Sequence, residues 1–186
     1  YIGPVLIQHL SERRIGSLTG LDNGYFSKCL VDPKSNPELL LEHQFFKDVR
    51  DLEPSDFKQV DKVVYLAAIS NDPMGNEFKE ATFEINKNSA ILAAKLAKKS
   101  NVKKFVFISS CSLYGSSDTK PRDEDMKLDP LTNYAKSKIN SEKKLKEISS
   151  ENFTVTCLRF ATACGFSNRM RLDIVLNNFI SSAILQ

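Results

Sequence analysis

The sequence predicts an α/β protein built around a doubly wound parallel sheet. Short apolar runs rich in β-branched residues alternate with amphipathic stretches of helical spacing along the 186 residues. Strands that are apolar throughout are typical of a parallel sheet covered by helices on both faces. The hydrophobic fraction of 41% and the charged fraction of 26% are ordinary for a globular domain that buries a core.

The predicted elements alternate along the whole chain. Helical spacing of apolar residues covers residues 2–13, 76–99, 134–148 and 173–185. The second of these is predicted as one long helix, or as a helix with a ragged start. Extended runs cover residues 17–22, 42–47, 61–68, 104–109 and 153–158. No linker rich in Pro or Gly divides the chain, so we expect residues 1–186 to form one domain.

The composition disfavours several classes of protein. The net charge of +3 is small, and the lysines alternate with apolar residues, which indicates solvated faces rather than a nucleic-acid-binding surface. The four cysteines form no CxxC pair and have no histidine at metal-ligand spacing, so we predict no metal site. Three of them lie in apolar or small-residue surroundings, which predicts reduced, packed thiols. No run is apolar enough to cross a membrane, and we expect a cytoplasmic protein without membrane contact.

Polar side chains follow the predicted strands at the end where parallel sheets bind ligands. They are Asp22, Asp48, the run at residues 67–71, and the Ser109-Ser110 pair. A carboxylate at the position of Asp22 can accept both ribose hydroxyls of an adenine nucleotide, which favours NAD over its 2′-phosphorylated form. Asn23-Gly24 directly after it is also a turn signal, so a purely structural role for this segment stays open.

Tyr134 and Lys138 form a candidate catalytic pair. Residues four apart share a face of a helix, and a nearby ammonium favours the phenolate of a tyrosine, whose pKa is ~10 when unperturbed. Tyrosine then becomes a usable base near neutral pH. Ser110 closes the clearest strand and its hydroxyl can orient a substrate oxygen. The alternatives are an ordinary helix face for the pair and a capped turn for the serine.

Taken in order, these residues resemble the extended short-chain dehydrogenase/reductases, the NAD-dependent epimerase/dehydratase family. The resemblance covers essentially the whole chain, and the opening Tyr-Ile-Gly is similar to the end of the family's GxxGxxG loop. It implies a Rossmann-type fold with NAD as cofactor. The positions that the resemblance assigns to NAD are Tyr1, Ile2, Gly3, Asp22, Asn23, Asp48, Val49, Leu66, Ala67, Ala68, Asn86, Tyr134, Lys138 and Ala161.

The resemblance also implies a reaction and its partners. Tyr134 would take a proton from a sugar hydroxyl as hydride passes to the nicotinamide. Lys138 would hold the nicotinamide ribose, and Ser110 would orient the reacting oxygen. The substrate would be a nucleotide sugar, and a homodimer could form through the helix that carries the YxxxK motif.

Departures from the family pattern narrow the chemistry. The family's 4,6-dehydratases place Asp-Glu directly after the catalytic Thr, where this chain has Cys111 and Ser112, so we favour an epimerase. We expect Cys111 to be a packed thiol; the alternative is an acid with a tuned pKa. Thr162 replaces an asparagine of galactose-type epimerases, which weakens a UDP-galactose assignment. The two arginines near residue 170 either meet a diphosphate or form a solvated turn. The candidate substrate-binding residues are Ser110, Cys111, Ser112, Thr162, Arg169 and Arg171.

By the same resemblance, the chain lacks the first strand of the sheet and the C-terminal substrate lobe. We therefore expect a fragment, truncated at both ends, that binds NAD weakly by itself and is inactive alone; an affinity in the micromolar range or tighter would contradict this. Two alternatives stay open. A non-catalytic NAD-binding module would usually lack the tyrosine or the lysine, and an NADP-dependent reductase would carry a basic residue near Asp22, which residues 22–26 do not offer.

Overall fold

A computed structural model describes residues 1–70, 72–116 and 120–185 of the chain. Asn71, one of the predicted strand-end candidates, lies outside the described residues. The strands are β1 (Thr19–Asp22), β2 (His43–Phe46), β3 (Lys62–Tyr65), β4 (Lys104–Ser110) and β5 (Thr154–Phe160). The α-helices are α1 (Ile2–Glu12), α2 (Asp72–Glu77), α3 (Lys79–Phe83), α4 (Ser89–Lys99), α5 (Asn133–Ile148) and α6 (Val175–Leu185).

Every strand pair within the strands named above is parallel, as the sequence predicts. β1 pairs with β2 in one sheet, and a second sheet has the order β3-β4-β5. The described residues divide into two compact units. One unit combines Tyr1–Asp48 with Thr162–Gln186, and the other is Val49–Ala161.

The core of the unit Val49–Ala161 lies between the three-stranded sheet and α4. Phe105 and Phe107 on β4 are fully buried, and Phe153 beside β5 joins them. The alanines that face the sheet let α4 approach it closely; they are Ala90, Ala93, Ala94 and Ala97, each at most 1% exposed. Burying each phenyl ring contributes about 2 kcal/mol, so this layer fixes the end of β4 on which Ser110 stands.

The prediction that the strands are buried on both faces is wrong for this sheet. Val64 on β3, together with Leu158 and Phe160 on β5, is 38% exposed. The opposite face of β4 carries the buried phenylalanines that pack against α4. An apolar run shows which side chains could be buried, but not which face of the sheet is covered. The elements that pack against the sheet decide that.

The predicted long helix at residues 76–99 is interrupted twice. The backbone leaves the helical region at Phe78, with φ −111° and ψ 55°, and residues Glu84–Asn88 form a π-helix between α3 and α4. Such a bulge frees backbone carbonyl groups from the regular ladder. Apolar spacing did not reveal this, because the partners that stabilise the bulge come from other parts of the chain.

Three hydroxyl groups satisfy the carbonyl groups of the π segment. Ser89 Oγ donates to the carbonyl of Glu84 at 2.9 Å, Tyr65 OH donates to that of Ile85 at 2.9 Å, and Ser141 Oγ donates to that of Asn86 at 2.8 Å. Tyr65 ends β3 and Ser141 lies on α5. The bulge is therefore held from the sheet on one side and from the next helix on the other.

The unit that contains β1 and β2 also holds α1 and α6. α1 packs against the short helix Pro37–Leu40, and Pro4 is the buried residue of α1. None of the helices in the described part of the chain is both long and apolar enough to cross a membrane.

Candidate active site

Ser110 ends β4 and is the N-cap of the 3₁₀ helix Cys111–Tyr114. Its Oγ accepts hydrogen bonds from Ser112 N at 3.2 Å and from Ser112 Oγ at 2.9 Å. A hydroxyl has two acceptor positions and one proton. Because Ser112 occupies the acceptor positions, the Ser110 proton is left to donate to an oxygen of a bound molecule. The capped-turn alternative and a role in catalysis are therefore compatible at this residue.

Gly115 closes the Ser110 turn in a conformation that side chains disfavour. Its φ is +74° and its ψ is −146°, and a β-carbon at this position would collide with the carbonyl oxygen of Asp129. Asp129 N in turn donates to the carbonyl of Leu113 at 2.9 Å. The turn after Ser110 is thus packed directly against the segment that leads into α5.

Tyr134 and Lys138 lie one turn apart on α5, as the spacing predicts. Thr132 caps this helix, because its Oγ1 accepts a hydrogen bond from Ala135 N at 3.2 Å. Lys138 Nζ lies 5.7 Å from the centroid of the Tyr134 ring. α5 packs against both β4 and the 3₁₀ helix after Ser110, so these elements bring together the regions that carry Ser110, Tyr134 and Lys138.

The ammonium group of Lys138 is held in a buried position. The residue is 2% exposed, Nζ donates to the carbonyl of Ile108 at 2.7 Å, and Nζ lies 4.5 Å from the centroid of the Phe107 ring. Burial lowers the pKa of Lys138 to about 7, against the opposing effect of Cys157 and Glu142. This lysine can therefore change its protonation state near neutral pH.

Asn86 lies in the π segment and is fully buried. Its Oδ1 accepts from Ile69 N at 2.8 Å, and its Nδ2 donates to Ile69 O at 2.9 Å and to Ser137 Oγ at 3.2 Å. Ser137 Oγ donates to the carbonyl of Tyr134 at 2.7 Å. One amide therefore joins the turn after β3 to the helix turn that carries Tyr134.

The other predicted cofactor residues of this unit have different surroundings. Leu66, Ala67 and Ala68 follow β3 and are half-buried. Val49 begins the 3₁₀ helix Val49–Asp51 and packs against the core, whereas Ala161 follows β5 and is exposed. Ala67 also packs against the core, so the turn between β3 and Asn86 is fixed at both of its ends.

Cys111 is exposed, so the prediction of a packed thiol at this position is wrong. The residue belongs to the short 3₁₀ helix that leaves the end of the sheet, where the side chain points away from the core instead of continuing the burial of β4. Cys29 and Cys164 are exposed as well, and Cys157 is half-buried. Ser112 is half-buried and bonded to Ser110.

The unit with β1 and β2 carries the remaining candidates, beginning with Tyr1, Ile2 and Gly3 at the start of α1. Tyr1 OH donates to the carbonyl of Gly165 at 2.8 Å and accepts from Asn177 Nδ2 at 3.2 Å. Within the described residues, α1 has neither a side-chain cap nor an acidic residue in its first turn. The N–H groups at this helix start can therefore bind an anion.

Asp22 and Asn23 make the turn that follows β1. Asp22 Oδ1 accepts from Gly24 N at 2.7 Å and Asn23 Oδ1 accepts from Tyr25 N at 3.0 Å. Both side chains are exposed, so the turn role does not remove the Asp22 carboxylate from solvent. Asp48 is half-buried and follows β2 by two residues.

The three candidates after β5 differ from one another. Thr162 is exposed. The Arg169 guanidinium lies 4.1 Å from the Phe26 ring centroid, and Arg171 forms an ion pair with Asp173, which lowers the pKa of that carboxyl group. The two guanidinium groups lie within electrostatic range of the start of α1.

Sequence reasoning missed a half-buried ion pair beside the catalytic candidates. Arg159 on β5 meets Glu142 on α5, with Nη2 and Oε2 2.7 Å apart. Glu142 lies four residues after Lys138, and Arg159 stands in a strand whose neighbouring residues are mostly apolar. The sequence signal that could have revealed the pair is the arginine itself. A charged side chain in an apolar strand requires a partner of opposite charge when it is taken out of water.

The model of the NAD dependent epimerase/dehydratase family matches residues 1–186. The chain belongs to this family. Its parallel strands, its YxxxK helix and its Ser110 turn are thus features of an epimerase/dehydratase family member. A comparison with curated proteins finds no match.

Solved structures show the same fold. The chain is 27% identical to a structure described as a novel NAD dependent NDP-hexosamine 5,6-dehydratase, TunA, with a TM-score of 0.83, covering 99% of this chain and 58% of that one. A UDP-glucuronic acid 4-epimerase from Bacillus cereus in complex with NAD is 23% identical, with a TM-score of 0.78 and coverages of 99% and 60%. MoeE5 in complex with UDP-glucose and NAD is 22% identical, with a TM-score of 0.79 and coverages of 98% and 57%. This family member therefore spans less than two thirds of each of these chains.

Proposed function

We propose that the chain carries the hydride-transfer site of an NAD-dependent enzyme that acts on a nucleotide sugar, with Ser110, Tyr134 and Lys138 as its catalytic residues. The observation that carries the proposal is the pairing of Tyr134 with a buried lysine on the helix that packs against the Ser110 turn. We favour an epimerase over a 4,6-dehydratase, because Cys111 and Ser112 supply no carboxylate beside Ser110.

Oxidation of a sugar carbinol removes one proton and one hydride. Tyr134 accepts the proton on its phenolic oxygen, and Ser110 donates its hydrogen bond to the same sugar oxygen. Lys138 lies close enough to the phenol to stabilise the phenolate when its ammonium is protonated. Bound NAD supplies the acceptor for the hydride. Return of the hydride to the other face of the ketone, with the proton from Tyr134, completes an epimerisation.

Each of the two units, taken by itself, carries residues of a kind that suits NAD. The uncapped start of α1 offers N–H groups for a pyrophosphate, with Arg169 and Arg171 in electrostatic range. The exposed Asp22 carboxylate suits the ribose hydroxyls. The turn of Leu66 to Ala68, held through Ile69 by Asn86, offers a rigid backbone for the rest of the cofactor.

A second candidate is a dehydratase of another kind. Elimination of water needs an acid for the departing hydroxyl, in addition to the redox pair. The Cys111 thiol is exposed and directly follows Ser110, and the 27% identical structure is described as a 5,6-dehydratase. Removal of the proton from the carbon beside the transient ketone, with water as the base, would turn that C–H electron pair into the carbon–carbon double bond. The thiol proton would join the departing hydroxyl, which leaves as water.

The test is an assay of the whole protein with a panel of UDP-, dTDP-, GDP- and CDP-sugars, with NAD or NADP, and with product structures read by NMR. We expect turnover with NAD, and a loss of at least about 100-fold in kcat for Tyr134→Phe without loss of NAD binding. Cys111→Ser separates the two candidates, because an epimerase keeps its activity and a dehydratase that uses the thiol loses it.

Lys136→Met is the matched control for Lys138→Met, because Lys136 lies on the same helix with its side chain exposed. Only the Lys138 variant should lose turnover. Wild-type turnover by Tyr134→Phe would overturn the catalytic assignment, and NAD binding without turnover on any sugar nucleotide would favour a non-catalytic module. Preference for NADP would indicate the reductase alternative.

A further inference from the structure

Arg159 connects three elements around the candidate active site. Its Nε donates to both carboxylate oxygens of Glu142 at 3.1 and 3.2 Å, and its Nη2 donates to Oε2 at 2.7 Å. Its Nη1 donates to Tyr114 OH at 2.9 Å and to the carbonyl of Glu124 at 3.1 Å. The guanidinium therefore spans β5, α5 and the segment after β4, using the planar fork that lysine lacks.

The two partners of Arg159 lie on the two elements that carry the catalytic candidates: the turn after Ser110 and the helix α5. Tyr114 ends the 3₁₀ helix that Ser110 caps. Glu142 lies one helical turn beyond Lys138 and two beyond Tyr134, on the same face of α5. A movement of Arg159 would consequently shift the Ser110 turn and the YxxxK helix relative to each other.

The ion pair is shielded from solvent. The Arg159 side chain is 18% exposed and the Glu142 side chain is 11% exposed. The hydrogen bonds that Arg159 donates to the Glu142 carboxylate raise the pKa of Arg159, so the guanidinium keeps its charge. By contrast, the Lys144–Glu147 pair on the same helix has side chains that are 56% and 63% exposed. Exposed pairs of this kind are weak and hold no geometry, which makes Lys144–Glu147 a useful comparison.

We propose that Arg159 and Glu142 are positioning residues, which hold α5 and the Ser110 turn in the arrangement that proton transfer requires. The proposal rests on the proposed function for its catalytic consequence. Neither side chain needs to touch the substrate or the cofactor. Misplacement of reacting groups by about 1 Å is enough to lower a rate by about 100-fold. Loss of the contact between the Ser110 turn and α5 should therefore lower kcat measurably.

Glu142 also acts electrostatically on Lys138. The groups that contact Lys138 or act on it electrostatically, within the described residues, are Tyr134 and Glu142 on α5, Phe107 and the Ile108 carbonyl on β4, and Cys157 on β5. Arg159 acts electrostatically on Cys157. Burial raises the pKa of Cys157 to about 11, so this thiol is neutral at pH 7. Glu142 is then the anionic group of this set, and its charge raises the pKa of Lys138 against the effect of burial.

The experiment compares three variants. Arg159→Lys keeps the positive charge but loses the planar set of guanidinium donors, and Glu142→Gln keeps the side-chain shape but loses the negative charge. Glu147→Gln is the control. In the whole protein we expect Arg159→Lys to lower kcat by about 10- to 100-fold with an unchanged dissociation constant for NAD. We expect Glu142→Gln to move the titration of Lys138 to lower pH by about one unit, measured by NMR with ¹³Cε-labelled lysine. Glu147→Gln should change neither quantity.

Two results would overturn the proposal. One is a wild-type kcat and a wild-type Lys138 titration in both variants. The other is a loss of kcat that only parallels a loss of folded protein and of NAD binding, with the Lys138 titration unchanged, because that is the behaviour of a merely structural pair. If the wild-type protein turns over no nucleotide sugar, the proposed function fails, and the Lys138 titration still decides whether Glu142 sets the state of that lysine.

Discussion

Asn86 and Ile69 are joined by a pair of hydrogen bonds that resembles a backbone pairing. The Asn86 side chain accepts from Ile69 N at 2.8 Å and donates to Ile69 O at 2.9 Å. The asparagine is fully buried in a π-helical segment, and its remaining amide proton is directed to Ser137. The turn after β3 is therefore fixed by a side chain rather than by a neighbouring strand.

Replacing Asn86 by alanine should destabilise the protein by about 3 kcal/mol, because both polar groups of Ile69 lose their partner in a buried position. Urea denaturation measures the change in the free energy of unfolding. Asn88→Ala is the control, since Asn88 is exposed and bonds only to Glu84 of its own helix turn among the described residues; it should cost less than about 0.5 kcal/mol. Equal effects of the two variants would contradict the assigned role of Asn86.

The stability of the protein should rise with pH between about 7 and 8.5. Burial lowers the pKa of Lys138 to about 7, whereas a lysine in the unfolded chain titrates near about 10.4. The unfolded state binds more protons over this interval, so the free energy of unfolding increases with pH, by at most about 1.4 kcal/mol per pH unit. Above about pH 8.5 the raised pKa of Cys157 acts in the opposite direction.

Urea denaturation at several pH values measures how the free energy of unfolding changes with pH. Lys138→Met should remove the rise with pH, and Lys136→Met should keep it, because Lys136 is exposed. A slope that persists in the Lys138 variant would assign the titration to another group.

Two buried serines should respond in opposite ways to the same substitution. Within the described part of the chain, the Oγ atom of Ser109 is buried and has no hydrogen-bond partner, so Ser109→Ala should be neutral or stabilising by up to about 1 kcal/mol. Ser137 is equally buried and bonds to Tyr134 O and Asn86, so Ser137→Ala should cost about 1–2 kcal/mol. Thermal unfolding of both variants checks the difference, and a larger loss for Ser109 would reveal a partner for its hydroxyl.

Gly115→Ala should destabilise the Ser110 turn by about 2 kcal/mol or more, since the residue has a φ of +74° and faces the Asp129 carbonyl. Gly75→Ala is the matched control. Gly75 lies in α2, where the nearest atoms to an added β-carbon are 3.8 Å away, so alanine there should stabilise by about 0.5 kcal/mol. The free energies of unfolding of the two variants should therefore move in opposite directions from that of the wild type.

The sequence was sufficient for features that depend on local spacing. The strands at residues 104–109 and 153–158 and the helix at residues 134–148 lie within one or two residues of β4, β5 and α5. Period-2 and period-3.6 patterns act over a few neighbouring residues, and Tyr134 and Lys138 share a helix face for that reason. Cys111 was misplaced, because a pattern of neighbours does not show where a strand gives way to a 3₁₀ helix and exposes its side chains.

The sequence by itself determined the alternation of strands and helices, the parallel pairing, the YxxxK pair and the family resemblance. Only the tertiary structure decided that the helix before α4 opens into a π segment, that Asn86 holds Ile69, and that Arg159 meets Glu142. These features join residues far apart in the chain. Each is stabilised by hydrogen bonds between polar groups that are buried or half-buried, and packing rather than local spacing sets the positions of the partners.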